Sequence, residues 1–179
     1  MSVTRREFLK VGVAVGGGLL IEIWTPRKAR AGDVKGGAFS PSAFLRITAD
    51  GVTFVCPQVE MGQGIQTGLA MLVAEELEIA PEAMRVVAAP ADRAYDTPGF
   101  NVQLTGGSSS IRVEYEPLRQ AGATAREMRR GAASRRWSVP VAECVASDGA
   151  VTHAATGKRA TYGELANDAA RSEAPRRCA

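Results

Sequence analysis

Two short stretches hold the residues best suited to seat a polar, flat or phosphate-bearing ligand. The first is Val59-Glu60-Met61-Gly62-Gln63-Gly64-Ile65-Gln66-Thr67. Its glycines flank one amide side chain, the pattern of a loop that lets a ligand approach the backbone closely at a helix start. The second is Thr105-Gly106-Gly107-Ser108-Ser109-Ser110. It offers hydroxyls and unhindered backbone N–H groups ahead of another helical pattern, again chemistry suited to an anion. A simple N-cap with a flexible lead-in accounts for one serine but not for the run.

Other chemistries find less support. A dinucleotide fingerprint needs its glycines directly after a strand. Here Gly62-x-Gly64-x-x-Thr67 lacks the third glycine, Gly68 is one position late, and Pro57 separates strand from loop. Asp92 follows the next strand, where a ribose-binding acid would fall, but the fingerprint around it is incomplete. His153 is the only histidine, so a His-based metal cluster is excluded, and it reads as structural or solvent-facing. The three cysteines, Cys56, Cys144 and Cys178, have no zinc or disulfide-framework spacing. Cys56 lies in an apolar run and reads as a small buried hydrophobe, and a Cys56–Cys144 bridge is disfavoured. No catalytic residue and no metal ligand is assigned from the residues.

The elements that must position the two loops follow from periodicity. Phe44 to Thr48 and Val52 to Cys56 are β-branched or aromatic runs around Asp50-Gly51, a hairpin signal. Pro57 ends the second run. Ile65, Leu69, Leu72, Val73 and Leu77 recur at helical spacing, and Pro81 follows the end near Ile79. Met84 to Ala88 reads as a strand. Residues 94–110 form a long polar loop, a length usually tied to function or disorder. The next helix carries Val113, Leu118, Ala121, Ala125 and Met128 and ends by Trp137, with Pro117 kinking it or marking the first turn of its main part. A hairpin turns at Asp148-Gly149, and Thr161-x-x-Glu164 is a capping box opening a short helix through Ala170. The expected class is α+β: a small mixed sheet with two longer helices packed on it. The small-residue face at Ala121, Gly122 and Ala125 is expected to be under-covered.

Composition bounds the partners. The chain has 179 residues, is 45% hydrophobic and 23% charged, and suits one globular domain. Residues 1–31 hold six of the 22 basic residues and two of the 19 acidic ones, so the remainder carries 16 basic against 17 acidic. A near-neutral body argues against nucleic acid, which requires clustered Lys and Arg. Arg126, Arg129, Arg130, Arg135 and Arg136 cluster without interleaved aromatics and read as a solvated helix face.

Arg5-Arg6-Glu7-Phe8-Leu9-Lys10, the glycine-softened apolar run Val11 to Leu20 and the small-x-small site Ala29-Arg30-Ala31 have the layout of a twin-arginine export signal. The run is too short and glycine-rich for a membrane span of roughly 20 residues. Glu22 is unusual so near a signal core. The expected organisation is a signal over 1–31, a linker over 32–42, a ligand-binding domain portion over 43–170 and an aberrant tail over 171–179. The expected location is the periplasm, with no transmembrane span in the mature chain.

The export layout, Val59 to Gly64, Ala74-Glu75-Glu76-Leu77, Val86 to Asp92 and Thr105 to Ser110, in this order, resemble the molybdopterin-binding subunit of the xanthine dehydrogenase and aldehyde oxidase family. The likeness is strongest to the exported two-subunit branch that includes isoquinoline 1-oxidoreductase β subunits. It runs from Arg5 to about Ala170. The resemblance implies a portion of a larger molybdopterin-binding domain, with the cofactor in its cytosine dinucleotide form and carrying molybdenum. It implies hydroxylation of aldehydes or N-heterocycles with oxygen from water. Electrons would pass to a 2Fe-2S iron–sulfur subunit, with a cytochrome c as a further acceptor. It places cofactor contacts at Gly62, Gln63, Gly64, Gly106, Gly107, Ser108, Ser109 and Ser110. The family's catalytic glutamate lies in a Gly-x-Gly-Glu loop, and no such sequence occurs here. A truncated, non-catalytic remnant or cofactor-binding module is therefore the alternative expectation.

Overall fold

The computed structural model describes residues 9–13, 19–23, 43–97 and 99–171. The expected linker, 32–42, lies outside them, as does all but the first residue of the expected tail. The Asp50-Gly51 turn joins β3 (Ala43–Thr48) to β4 (Gly51–Cys56), with Leu45 opposite Phe54 and Ile47 opposite Val52. These four side chains are buried, as the alternation requires. β5 (Met84–Ala88) lies parallel to β4, with Val52 opposite Met84 and Cys56 opposite Ala88. A parallel neighbour demands a crossover. The amphipathic run supplies it as α1 (Ile65–Leu77), whose buried residues include Leu69, Val73 and Leu77. β1 (Leu9–Val13) and β2 (Leu19–Ile23) extend the sheet antiparallel on the far side of β3, in the order β1-β2-β3-β4-β5. Both fall within the stretch read as an export signal.

The class is α+β, but there are two sheets rather than one. α2 (Ser110–Trp137) is 28 residues long and carries the chain about 42 Å at 1.5 Å per residue. The following hairpin, β6 (Cys144–Ser147) and β7 (Ala150–His153), pairs with β8 (Lys158–Thr161) in a separate antiparallel sheet. The capping box forms: the Glu164 carboxylate accepts from Thr161 N–H at 2.7 Å, and Glu164 N–H donates to Thr161 Oγ1 at 3.2 Å. It closes a turn that leads into α3 (Ala166–Ala170). The Tyr162 hydroxyl donates to the Leu77 carbonyl at 2.7 Å and ties the second sheet to the end of α1. Pro117 sits inside α2, which continues through it. Among the described residues, no helix is long and apolar enough to cross a membrane.

The small-residue face of α2 is covered, contrary to expectation. Ala121 and Ala125 are fully buried against α1. A Cβ placed on Gly122 would stand 2.8 Å from both Glu76 Cβ and the Val73 carbonyl oxygen. The glycine thus sets how closely the two helices approach. Substituting Gly122→Val is expected to cost about 2–3 kcal/mol through overpacking, measured by urea unfolding. A loss under about 0.5 kcal/mol would show that the helices separate freely, against the tight packing described.

The arginine-rich face is solvated only at its end: Arg135 and Arg136 are exposed, whereas Arg126, Arg129 and Arg130 are not. Arg119 donates through Nε to Glu76 at 2.7 Å. Arg126 donates to the Glu76 carbonyl at 3.0 Å, and Arg130 to the Cys144 carbonyl at 2.8 Å. Arg129 is completely buried. These side chains use their length to cross-link α2 to α1 and to the second sheet.

Candidate functional site

The two loops emerge from the same end of the parallel pair. β4 ends at Cys56 and runs into the first loop; β5 ends at Ala88, and its long connection brings in the second. Val59 N–H donates to Thr105 Oγ1 at 2.8 Å, a direct tie between them. The residue that organises this junction is Gln58, only 1% exposed. Its Oε1 accepts from Thr105 Oγ1 at 3.1 Å and from Ser110 Oγ at 3.0 Å. Its Nε2 lies 3.5 Å from Thr97 Oγ1, whose hydroxyl donates to the Leu104 carbonyl at 3.0 Å. One buried amide therefore connects a strand end, the long loop and the start of α2. Such a group is costly to bury unless satisfied, and here it is satisfied. Sequence reasoning passed over Gln58, because a single polar residue between Pro57 and Val59 carries no periodic signal.

Beneath the junction lies Glu114, 3% exposed and beside the Gln58 amide. Burial pushes its carboxyl up to about 7, and the neighbouring Gln58 amide offsets only part of that rise. Nearby Cys56 is buried and unbridged, and burial pushes its thiol up to about 11. Cys144 is likewise buried and unbridged. An inert buried thiol fits the reading of Cys56 as a small hydrophobe.

Above the junction the loops enclose a cleft of about 390 Å³, lined by Met61, Gln63, Ile65, Thr105, Gly106, Ser108, Ser110 and Ile111. Of the eight residues expected at a ligand, Gln63, Gly106, Ser108 and Ser110 line it. Gly62 and Gly64 form the turn beneath Gln63, with φ of 94° and 78°. No atom lies within 4 Å of where their Cβ atoms would be, so the backbone conformation, not close approach, requires glycine there. Gly107 (φ 60°) turns the second loop. Ser109 is buried and donates to the Gly106 carbonyl at 2.7 Å, holding that turn closed. Gly68, between the helices, leaves room for the Ile111 side chain.

Gln63 is engaged at both ends within its own loop. Its Nε2 donates to the Val59 carbonyl at 2.9 Å, and its Oε1 accepts from Met61 N–H at 2.6 Å. Glu60 folds back over the same loop and accepts from the N–H groups of Gly62, Gly64 and Gln66 at 2.8, 2.9 and 3.1 Å. Donation from Gln66 and Gly64, and then from Gly62, holds its carboxyl below the usual range. In the second loop, among the described residues, the N–H groups of Gly106, Gly107 and Ser108 donate to no protein acceptor. The cleft thus has open donors on one side, hydroxyls on its floor and apolar walls at Met61, Ile65 and Ile111. That combination suits a flat polar ligand with an anionic end.

Two residues considered for chemistry lie elsewhere. Asp92 caps a short turn by accepting from Ala94 N–H at 2.8 Å. His153 is buried in the second sheet between the Glu143 carboxylate (2.8 Å from Nε2) and Thr156 Oγ1 (2.7 Å from Nδ1). That chain of three polar side chains satisfies the ring from both sides, so the residue is structural rather than solvent-facing.

The sequence profile of the molybdopterin cofactor-binding domain family matches residues 4–177. Among curated proteins, the chain is 42% identical over 131 residues to the beta chain of isoquinoline 1-oxidoreductase from Brevundimonas diminuta, covering 72% of this chain and 17% of that protein. It is 32% identical over 123 residues to a subunit of nicotinate dehydrogenase from Pseudomonas putida, covering 68% of this chain and 10% of that one. Among solved structures, reconstituted CO dehydrogenase from Oligotropha carboxidovorans superposes with a TM-score of 0.53 at 20% identity, over 68% of this chain and 15% of that one. The chain therefore spans under a fifth of the length of each of these three. With two paired loops meeting over a polar floor, and a family profile matched almost end to end, the chain belongs to the molybdopterin cofactor-binding domain family.

Proposed function

We propose that this chain furnishes part of the cofactor cradle of an exported molybdenum hydroxylase acting on aldehydes or N-heterocycles. The single observation that carries the reading is the convergence of the Gly62–Gly64 and Gly106–Ser110 loops on one cleft through Gln58. The residues present fit the group: Gly106, Gly107 and Ser108 offer bare N–H donors, and Thr105 and Ser110 present oxygen atoms over the floor. When bound, molybdopterin supplies a molybdenum centre for hydroxylation with water-derived oxygen. The chain's own residues bind and orient. Gln58 fixes the two hydroxyls, Ser109 holds the second loop's turn, and Met61 and Ile111 flank the ligand with apolar surface. The cytosine dinucleotide form, export by the twin-arginine route to the periplasm, a 2Fe-2S partner subunit and a cytochrome c acceptor complete the proposal.

The described residues place no glutamate free to act as a base in the cleft: Glu60 is engaged by three backbone donors and Glu114 lies below the floor. This observation favours a cofactor-binding module over a complete catalyst. Chain purified after export is expected to hold molybdenum and pterin in near-stoichiometric amounts, measured by elemental analysis and by fluorescence of the oxidised pterin. It is expected to turn over neither an aldehyde nor an N-heterocycle with an artificial electron acceptor. Purified chain devoid of both molybdenum and pterin would sink the binding reading, and turnover would sink the module.

A further inference from the structure

Both loops lead glycine into a helix, yet only the first carries a carboxylate of the chain seated on its backbone donors. At the start of α1, three N–H groups point inward and a carboxylate of the chain itself already sits among them. At the start of α2, the N–H groups of Gly106, Gly107 and Ser108 meet no acceptor among the described residues. We propose that Glu60 is a specificity-determining residue: it fills the first loop as a built-in anion and so confines an incoming phosphate group to the second loop. The inference rests on the cofactor-cradle reading and deepens it.

Three observations support it. Both Glu60 oxygens are used, Oε1 by Gly62 and Gly64 and Oε2 by Gln66, so the carboxylate is seated rather than hovering. Glu60 is two residues from Gly62, and so short a tether gives it a local concentration that a free anion at ordinary levels does not reach. The loop is also braced: Gln63 bonds to Val59 and Met61, so the donors do not swing away to meet a second acceptor. A phosphate approaching this loop meets a like charge seated on the N–H groups of Gly62, Gly64 and Gln66. A phosphate approaching Gly106–Ser108 meets bare N–H groups at the head of a 28-residue helix. Glu60 is the residue that separates two otherwise similar helix entrances.

The test uses the full chain, labelled with nitrogen-15 and titrated with inorganic pyrophosphate while backbone amide shifts are followed. The wild type is expected to respond at Gly107 and Ser108 and to stay silent at Gly62, Gly64 and Gln66. Glu60→Ala is expected to gain a saturable response at those three amides, at least tenfold tighter than any seen there in the wild type. Glu60→Gln, which keeps an acceptor oxygen and loses the charge, is expected to fall between the two and keeps the test alive if the alanine variant does not fold. A wild type that responds at Gly62, Gly64 and Gln66 as strongly as the variants overturns the proposal, and so does a pair of folded variants that gain nothing there. Silence at Gly107 and Ser108 in every form overturns the confinement to the second loop and counts against the cradle reading. A gain in Glu60→Ala alongside that silence still establishes Glu60 as the anion filling the first loop.

Discussion

Glu114→Gln is expected to stabilise the protein at pH 8 by about 2–3 kcal/mol and to leave it within about 1 kcal/mol of the wild type near pH 4.5. The sign follows from burial. Desolvation pushes the Glu114 carboxyl up to about 7 in the folded chain, while an unfolded glutamate titrates near 4.5. Between these values the folded chain holds a proton that the unfolded chain has released. Stability is therefore complete below about 4.5, falls as pH rises through the folded value, and levels off above it. The glutamine variant has no proton to lose, and its amide keeps a hydrogen-bonding group beside Gln58. Urea unfolding at half-unit pH steps reads the difference, and parallel curves for the two proteins across this window would refute it. The slope also bears on the cleft. Ionising Glu114 places a charge beneath the amide that holds Thr105 and Ser110, so the floor of the site is best ordered on the acid side of neutrality.

Arg129→Met is expected to raise stability by about 1–3 kcal/mol. Arg129 is entirely buried on α2, and Nη1 donates to the Ala125 carbonyl at 2.8 Å. Its Nε and Nη2 have no hydrogen-bond partner among the described residues. The guanidinium lies 5.2 Å from the Tyr162 ring centroid, and burial lowers its pKa to about 10. A cation–π contact contributes about 1–2 kcal/mol when desolvated. Two orphaned donors cost about 1–3 kcal/mol each, more on a charged group, so the penalty outweighs the contact. Methionine fills comparable length with no polar atoms. Arg129→Ala is the contrast, because it removes the charge but leaves a cavity, and it is expected to gain less or to lose. Guanidinium unfolding that places the methionine variant at or below wild-type stability would contradict this account.

The contrast between these residues shows what a sequence exposes and what it conceals. The Asp50-Gly51 hairpin, α1, β5 and the long loop were legible because each rests on local chemistry: a turn dipeptide, a 3.6-residue period, a short apolar run, a cluster of glycine and serine. β8 was not legible, since Lys-Arg-Ala-Thr has one apolar residue and no alternation worth reading. The arginines of α2 looked like a wet face because charge predicts exposure on average. That holds for Arg135 and Arg136, but the surroundings of Arg126, Arg129 and Arg130 depend on α1, the second sheet and Tyr162, all remote in sequence. At the site, the two loops announced themselves through glycine and hydroxyl runs. The groups that govern them, Gln58, Glu60 and Glu114, did not, because an isolated polar residue acquires its meaning only from partners brought in by the fold. The covered face at Gly122 makes the same point: small residues signal close approach, but only the position of Val73 and Glu76 says to what.

The pairing of β2 with β3 has a bearing on how the chain must be handled. Removal of residues 1–31 would take β1 and β2 with it and leave β3 at the rim of the sheet, with its outward N–H and C=O groups unmatched along Leu45 and Ile47. Bare rims of this kind recruit other strands, whether from a proper neighbour or from a second misdirected copy. Trimming the start of this chain and providing a replacement strand are thus a single problem of solubility. Chain shortened in this way in vitro, with no strand supplied, is expected to associate through β3, measured by size-exclusion chromatography.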